Sequence, residues 1–286
     1  MTGSVLAGCA GPQTGTSGTT SPSDSRIAPT PTATGIATAR PSTTARPDVP
    51  AVSRAEIVAR FGHAVPHTWG FDAPGVVHKL PIAGKREIAL TFDACGGRGG
   101  SGYDRALIDF LRAHDVPATL FLNSRWIEAN PAVFRKLATE PLFEIANHGT
   151  RHRPLSVMGR SAYGIPGTRN AGEVYDEIAG NRAELTRLLG SPPRFFRSGT
   201  AYCDEVAARI VTALGERFVS FSVNGDAGAT FTPEQVRTTV ASAPAGSIVI
   251  CHMNHPEGGT ARGIAAAVPR LLTTGHTFIR LSDALH

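Results

Sequence analysis

The stretch Glu87 to Gly100, "EIALTFDACGGRGG", carries apolar residues into Thr91-Phe92-Asp93 and then breaks into glycines with a cysteine among them. A buried strand that ends on a carboxylate and a thiol places reactive groups at its C-terminal end, where parallel α/β folds build their sites. The same rhythm recurs down the chain. Short β-rich runs at Glu87–Phe92, Ala118–Leu122, Phe143–Ala146, Arg194–Phe196, Phe218–Val223, Ser247–Cys251 and Thr277–Leu281 predict strands. Between them, amphipathic stretches at Asp104–His114, Ile127–Ala138, Ala171–Leu189, Cys203–Leu214, Pro233–Ala241 and Thr260–Thr273 predict helices. Asp104 and Thr232 fit helix N-caps, and Gly190 and Gly215 fit C-terminal stops. Strand and helix alternating in this way imply a parallel sheet. So many units in about 200 residues favour an α/β fold of the distorted or incomplete (β/α) barrel type over an open doubly wound sheet. The glycines of "GGRGGSG" lack the Lys-Ser/Thr ending and acidic partner of a nucleotide loop.

With 286 residues, 41% apolar and 18% charged, the chain is long enough for a full core. No apolar run approaches the ~18 residues of a membrane span. The net charge of +5 is spread thinly, and Lys and Arg form no runs, which argues against nucleic acid as a partner. Residues 10–50 are mostly Thr, Ser, Pro, Gly and Ala, a composition that cannot bury enough surface to offset the entropy of ordering, so a disordered tether is expected there. Just before it, Leu6-Ala7-Gly8-Cys9 resembles the lipobox of bacterial lipoproteins, although no basic segment precedes it. That resemblance implies that residues 1–9 are the remnant of a signal peptide and that Cys9 is the lipidation site. The protein is then exported, anchored to the outer face of the cytoplasmic membrane or released to the cell wall. Residues 51–286 are expected to form the folded domain, a monomer touching membrane only through its anchor.

In a parallel barrel the reactive residues should fall at the strand C-termini. Asp93 follows the first strand, Asn147-His148 the third, Arg197 the next, Asn224 to Asp226 the one after, and His252 follows "SIVIC". His148 and His152 in "NHGTRH" stand four apart, so on a helical turn they would share a face and chelate one ion. Asp93 would add a third hard ligand or serve as general base for a metal-activated water. Asp226 in "VNGDAG" would hold the His252 ring and favour its charged form, suiting it as a proton donor. Arg197 would position a carboxylate such as Asp93 through a bidentate bond. Each has a plainer alternative: solvated loop histidines, a turn aspartate, a satisfied core histidine, a structural ion pair.

"LTFDA", "NHGTRH", "FFRSGT", "VNGD" and "IVICH", in this order, resemble the five motifs of the polysaccharide deacetylases, the NodB-like carbohydrate esterases of family 4. The resemblance spans about residues 85 to 283. It implies a distorted (β/α) barrel and metal-dependent hydrolysis of N-acetyl groups on GlcNAc-containing envelope polysaccharide, peptidoglycan or chitin-like. By the same resemblance Asp93 is the base, His148 and His152 are metal ligands, Arg197 tethers the base, and Asp226 with His252 forms the general acid.

Three departures qualify it. The family usually reads T-F-D-D, its second Asp being the third metal ligand, and here that position is Ala94. Ser198-Gly199-Thr200 replaces the usual Pro-Tyr after the arginine, leaving a backbone N–H near Thr200 for an oxyanion. The tryptophan common in the fourth motif is missing. Asp93 ranks first as replacement ligand, Cys95 second, and Asp104 reads better as a helix cap. The expected cofactor is a divalent metal, zinc first, since a thiolate would favour it over harder ions. Cys95, Cys203 and Cys251 flank strand ends, either as small buried residues or with two of them in a disulfide. A catalytically silent glycan-binding protein on the same fold is the rival reading.

Overall fold

The computed structural model describes residues 52–81 and 85–286. The tether expected over residues 10–50 and the lipidation expected at Cys9 lie outside the described residues. Strands β1 (Glu87–Ala94), β2 (Ala118–Leu122), β3 (Phe143–Asn147), β4 (Phe195–Phe196), β5 (Arg217–Phe218), β6 (Val223–Asn224) and β7 (Ile248–His252) run parallel in the spatial order β5-β4-β3-β2-β1-β7-β6. A short β8 (Thr277–Phe278) pairs with the start of β1. Around them lie helices α1 (Arg54–Phe61), α2 (Arg105–Ala113), α3 (Ser124–Ala129), α4 (Pro131–Ala138), α5 (Ala171–Leu189), α6 (Glu205–Ala213), α7 (Pro233–Ala241), α8 (Thr260–Thr273) and α9 (Leu281–Ala284).

The barrel is incomplete, as the strand count suggested. β5 and β6 stand at opposite ends of the strand order. The seam is filled by extended chain: Val77 N–H donates to Phe218 O (2.9 Å), Ser220 N–H to Val77 O (2.8 Å) and Leu80 N–H to Gly246 O (2.9 Å). Alternation along β1 sorts its side chains between two cores. Ile88, Leu90, Phe92 and Ala94 pack outward against Leu107, Ile108, Ile264 and Val268 of α2 and α8. Ala89 faces inward onto Phe121, Ala146, Phe195, Val219 and Ile248. Asp93 shares the inward parity, and Ala94 does not.

Local chemistry sets most helix ends. The Asp104 side chain accepts from Leu107 N–H, and Thr232 forms a reciprocal capping box with Gln235. Gly190 ends α5 at φ 75°, a left-handed conformation that glycine adopts without cost. Helix α1 was not expected, although its signal, Ser53 capping with Glu56, stands in the sequence. Several expected boundaries shift, four of them with a clear physical cause. The single helix over Ile127–Ala138 is two, broken at Asn130 because Pro131 has no N–H to continue the first. Cys203–Leu214 starts two residues late because the Asp204 side chain caps it from Ala207 N–H. The strand expected over Phe218–Val223 survives only as its two ends, because Ser220 N–H turns to Val77 and its carbonyl accepts from Arg197. The last strand stops at Phe278, and Leu281 instead opens α9.

Candidate metal and catalytic site

Parallel register brings the strand ends together. Asp93 on β1 stands directly beside His252 on β7 and Phe121 on β2, and β3 ends at Asn147, one residue before His148. Asp93 is almost fully buried, and its Oδ1 accepts from Arg197 Nη1 at 2.7 Å. The fully buried Arg197 spends its other donors on Val219 O (3.2 Å) and Ser220 O (2.9 Å) and lies 4.0 Å over the Phe121 ring. Burial lowers the Arg197 pKa and the Asp93 charge partly restores it. So anchored, the guanidinium can hold one carboxylate oxygen and leave the other, Oδ2, 3.6 Å from His148 Nε2.

Beside this pair lies a three-residue cluster. The ligand atoms of Cys95, His148 and His152 all fall within 4.8 Å of one another. Cys95 Sγ stands 3.9 Å from His148 Nε2, and the two rings meet edge to face at 5.0 Å. His148 Nδ1 faces Arg197 O at 3.0 Å. Donating there, the ring keeps its Nε2 lone pair for another partner. His152 Nε2 is buried and has no hydrogen-bond partner. A buried, unpaired imidazole nitrogen facing a second imidazole and a thiol is a donor set for a soft or borderline divalent cation. At ~2.3 Å to sulfur and ~2.0 Å to nitrogen, tetrahedral zinc would hold S and N about 3.5 Å apart, against 3.9 Å between Cys95 Sγ and His148 Nε2.

The Cys95 thiol is raised by burial, but the His152 charge and the nearness of His148 and His252 outweigh this and hold it well below the ordinary thiol range. Cys203 and Cys251 are pushed well above it by burial and nearby carboxylates. All three are free thiols, and the latter two sit in separate apolar clusters. The disulfide allowed for among these three is therefore absent.

On the other side of Asp93, Asp226 Oδ1 faces His252 Nδ1 at 2.9 Å, while its Oδ2 accepts from His252 N–H (2.7 Å) and Thr260 Oγ1 (2.9 Å). Burial alone would lower the His252 pKa, but the Asp226 charge and hydrogen bond raise it well above the usual value. Asp226 itself is pushed up by burial and pulled down further by His252. The arrangement stores a proton on His252.

Of the residues singled out in the sequence, Asp93, Arg197, His148, His152, Asp226 and His252 converge on one end of the sheet. Thr200 lies on the adjoining turn, its hydroxyl accepting from Tyr202 N–H at 3.3 Å, and a Cβ on neighbouring Gly199 would meet the His152 backbone at 2.3 Å. Asp104 caps α2 rather than entering the cluster. Of the two ranked replacements for the missing ligand, Cys95 joins both histidines, and Asp93 stands outside the cluster, tied to Arg197.

Several supporting residues escaped the sequence reading. Glu177 on α5 is buried and accepts from Thr150 Oγ1, Arg151 N–H and Arg153 N–H, clamping the loop that carries His152 at φ 60°. A carboxylate is what satisfies so many donors at once. Asn147 turns away from the site: it donates to Ile178 O and Glu216 and accepts from Gly149 N–H and Asn181. Asn123 donates to His148 O at 2.9 Å. Nothing in the spacing of Glu177 or Glu216 marks them; tertiary packing of α5 and of the turn after α6 delivers them.

Comparison with known proteins gives a consistent set of relatives. Residues 82–219 match the family described as polysaccharide deacetylase. The peptidoglycan-N-acetylmuramic acid deacetylase PdaA of Bacillus subtilis is 22% identical over 247 residues, 77% of this chain and 86% of the relative. A peptidoglycan-N-acetylglucosamine deacetylase of Bacillus cereus is 27% identical over 201 residues, 69% of this chain and 67% of that one. A solved carbohydrate esterase family 4 pseudoenzyme from Bacillus anthracis shares the fold at a TM-score of 0.62 and 19% identity, covering 75% of this chain and 70% of its own.

Proposed function

The chain belongs to the polysaccharide deacetylase family, and on that footing we propose that it is a metal-dependent hydrolase removing N-acetyl groups from a GlcNAc-containing envelope polysaccharide. The observation that carries the reading is the flanking of the Cys95/His148/His152 cluster by two differently tuned pairs, Asp93–Arg197 and His252–Asp226. A divalent ion held by Cys95, His148 and His152 would polarise the acetamide carbonyl and lower the pKa of the attacking water towards about 7. Asp93, held by Arg197 through Oδ1, takes the water's proton on Oδ2. In this reading the Thr200 backbone N–H donates to the developing oxyanion, since Gly199, Ala201 and Tyr202 N–H are already engaged. His252, kept charged by Asp226, passes its proton to the departing amine, so that acetate and a free amine result.

The test is mass spectrometry of peptidoglycan fragments and chitooligosaccharides incubated with zinc-loaded protein, expecting loss of the mass of one acetyl group. Unchanged masses on every such substrate would overturn the reading. Ala94 favours a second reading, a glycan-binding protein without turnover, and the similarity to a pseudoenzyme keeps company with it. Saccharide binding with no metal bound would select it. An envelope substrate also suits export through lipidated Cys9. A Cys9→Ala form that remained equally membrane-bound would remove the anchor.

A further inference from the structure

We infer that Cys95 is the third protein ligand of the metal centre, making it a thiolate–bis-imidazole site for a thiophilic divalent cation. This rests on the reading of the cluster as a metal site and says which atoms and which class of ion make it. Three side chains compete for the place. Ala94 offers no donor and points into the helix-packed core. Asp104 spends Oδ1 on the first turn of α2. Asp93 directs one oxygen to Arg197 and does not come within ligand distance of both histidines. The sulfur of Cys95 does, and among the described residues no carboxylate completes the same cluster.

The placement of that sulfur is built in. Cys95 is one residue past the end of β1 and keeps the inward alternation of Asp93. Its carbonyl accepts from Arg125 Nη2 at 3.2 Å. The next residue, Gly96, takes φ 66°, and a Cβ there would stand 2.4 Å from Trp126 N, so only glycine turns the chain this sharply against α3. The glycines that make strand continuation look doubtful in the sequence are what fix the thiol. His152 Nε2, buried and unpaired, supplies the opposite wall.

The chemistry follows from the donor set. One sulfur and two imidazoles select zinc, cobalt or cadmium over magnesium, calcium or manganese, which prefer oxygen. The ion takes Cys95 as its thiolate and both imidazoles neutral, so binding leaves one anionic ligand on it, as a carboxylate would.

Cobalt(II) added to the metal-free full chain tests this directly. Wild type should show a near-ultraviolet thiolate-to-cobalt charge-transfer band. Cys95→Ser should lose the band although Cys9, Cys203 and Cys251 remain, and Asp93→Asn should keep it. Cys95→Asp, which restores an oxygen ligand, should bind cobalt without the band and guards against a folding defect in the serine form. Bound cobalt with no band in wild type, or a band undiminished in Cys95→Ser, overturns the inference. A cobalt band without any acetate release leaves the ligand assignment standing and sinks the deacetylase reading. Acetate release with no band does the reverse.

Discussion

His148 and His252 begin as the same side chain at the ends of β3 and β7, on either side of β1 and β2, and their Nδ1 partners part them. His252 Nδ1 faces a buried carboxylate at 2.9 Å, and His148 Nδ1 faces a neutral carbonyl at 3.0 Å. The carboxylate holds a proton on its ring, lifting His252 well above the usual range. The carbonyl fixes a tautomer and leaves Nε2 to a sulfur and a second imidazole. For His148, burial opposes a rise that Asp93 and Cys95 produce, and any proton it carries must leave when a cation binds. One half of the site is saturated and stores charge. The other half keeps imidazole and thiol lone pairs free to ligate a cation. Placement in the sheet makes neither difference; the second partner does.

Four substitutions probe this contrast, in order of expected size. Asp93→Asn removes the only base in the scheme, so turnover should fall by about 10²–10⁴-fold. Zinc content measured by emission spectrometry should stay near wild type, because Asp93 stands outside the ligand cluster. Loss of zinc in parallel with turnover would move Asp93 across the divide. The substitution also unpairs buried Arg197, so a lowered melting temperature is expected.

Glu177→Ala removes the clamp on the open half. With the loop 150–153 no longer tied to α5, metal affinity should weaken about 10–100-fold, the usual effect of losing an orienting partner. Titration with a chelator competitor measures it. The same change in a His152→Ala background should cost little more, since the clamp acts through that histidine. Full additivity would mean a general packing defect.

Asp226→Asn tests the saturated half. Without the carboxylate, His252 should lose its proton at lower pH, moving the alkaline limb of the pH–rate profile down. For every pH unit the limb moves, the rate on that side should drop about tenfold. The sign for stability is the same: a histidine raised on folding stabilises below its unfolded pKa, about 6.5, and that contribution fades as pH rises through the folded value. In the variant, this alkaline loss should disappear. An unmoved alkaline limb would break the assignment of His252 as acid.

Glu216→Gln should have the smallest effect. Burial raises this carboxyl from 4.5 to about 8, against a hydrogen bond from Asn147 and the charge of Arg182. An acid raised on folding makes the fold less stable as pH climbs from its unfolded to its folded pKa. The slope cannot exceed roughly 1.4 kcal/mol for each pH unit of that window. Urea unfolding at pH 5 and pH 8 should show the decline in wild type and a flatter profile in the variant. Metal binding should change little, because Asn147 retains an acceptor.

Much of this was legible in the chain. The five strand ends carry their chemistry within short motifs, and capping residues such as Asp104 and Thr232 mark helix starts by side-chain type alone. The break between α3 and α4 was legible too, in Asn130-Pro131, and apolar periodicity masked it. The split of the fifth expected strand was not, because the groups that draw Ser220 out of the ladder belong to Val77's segment and to Arg197.

The sequence by itself determined the order of strands and helices, the alternation that turns Asp93 inward and Ala94 outward, and which residue types stand at the mouth of the sheet. These are local properties, written in periods of two and 3.6 and in the chemistry of caps and turns. Only the tertiary structure decided that the sulfur of Cys95, rather than a carboxylate of Asp93, meets both imidazoles, and that Glu177 holds the loop between them. Such choices turn on ångström-scale distances between side chains tens of residues apart. They are set by how the turn at Gly96 packs on α3 and how the 150–153 loop closes on α5, and no local pattern encodes them.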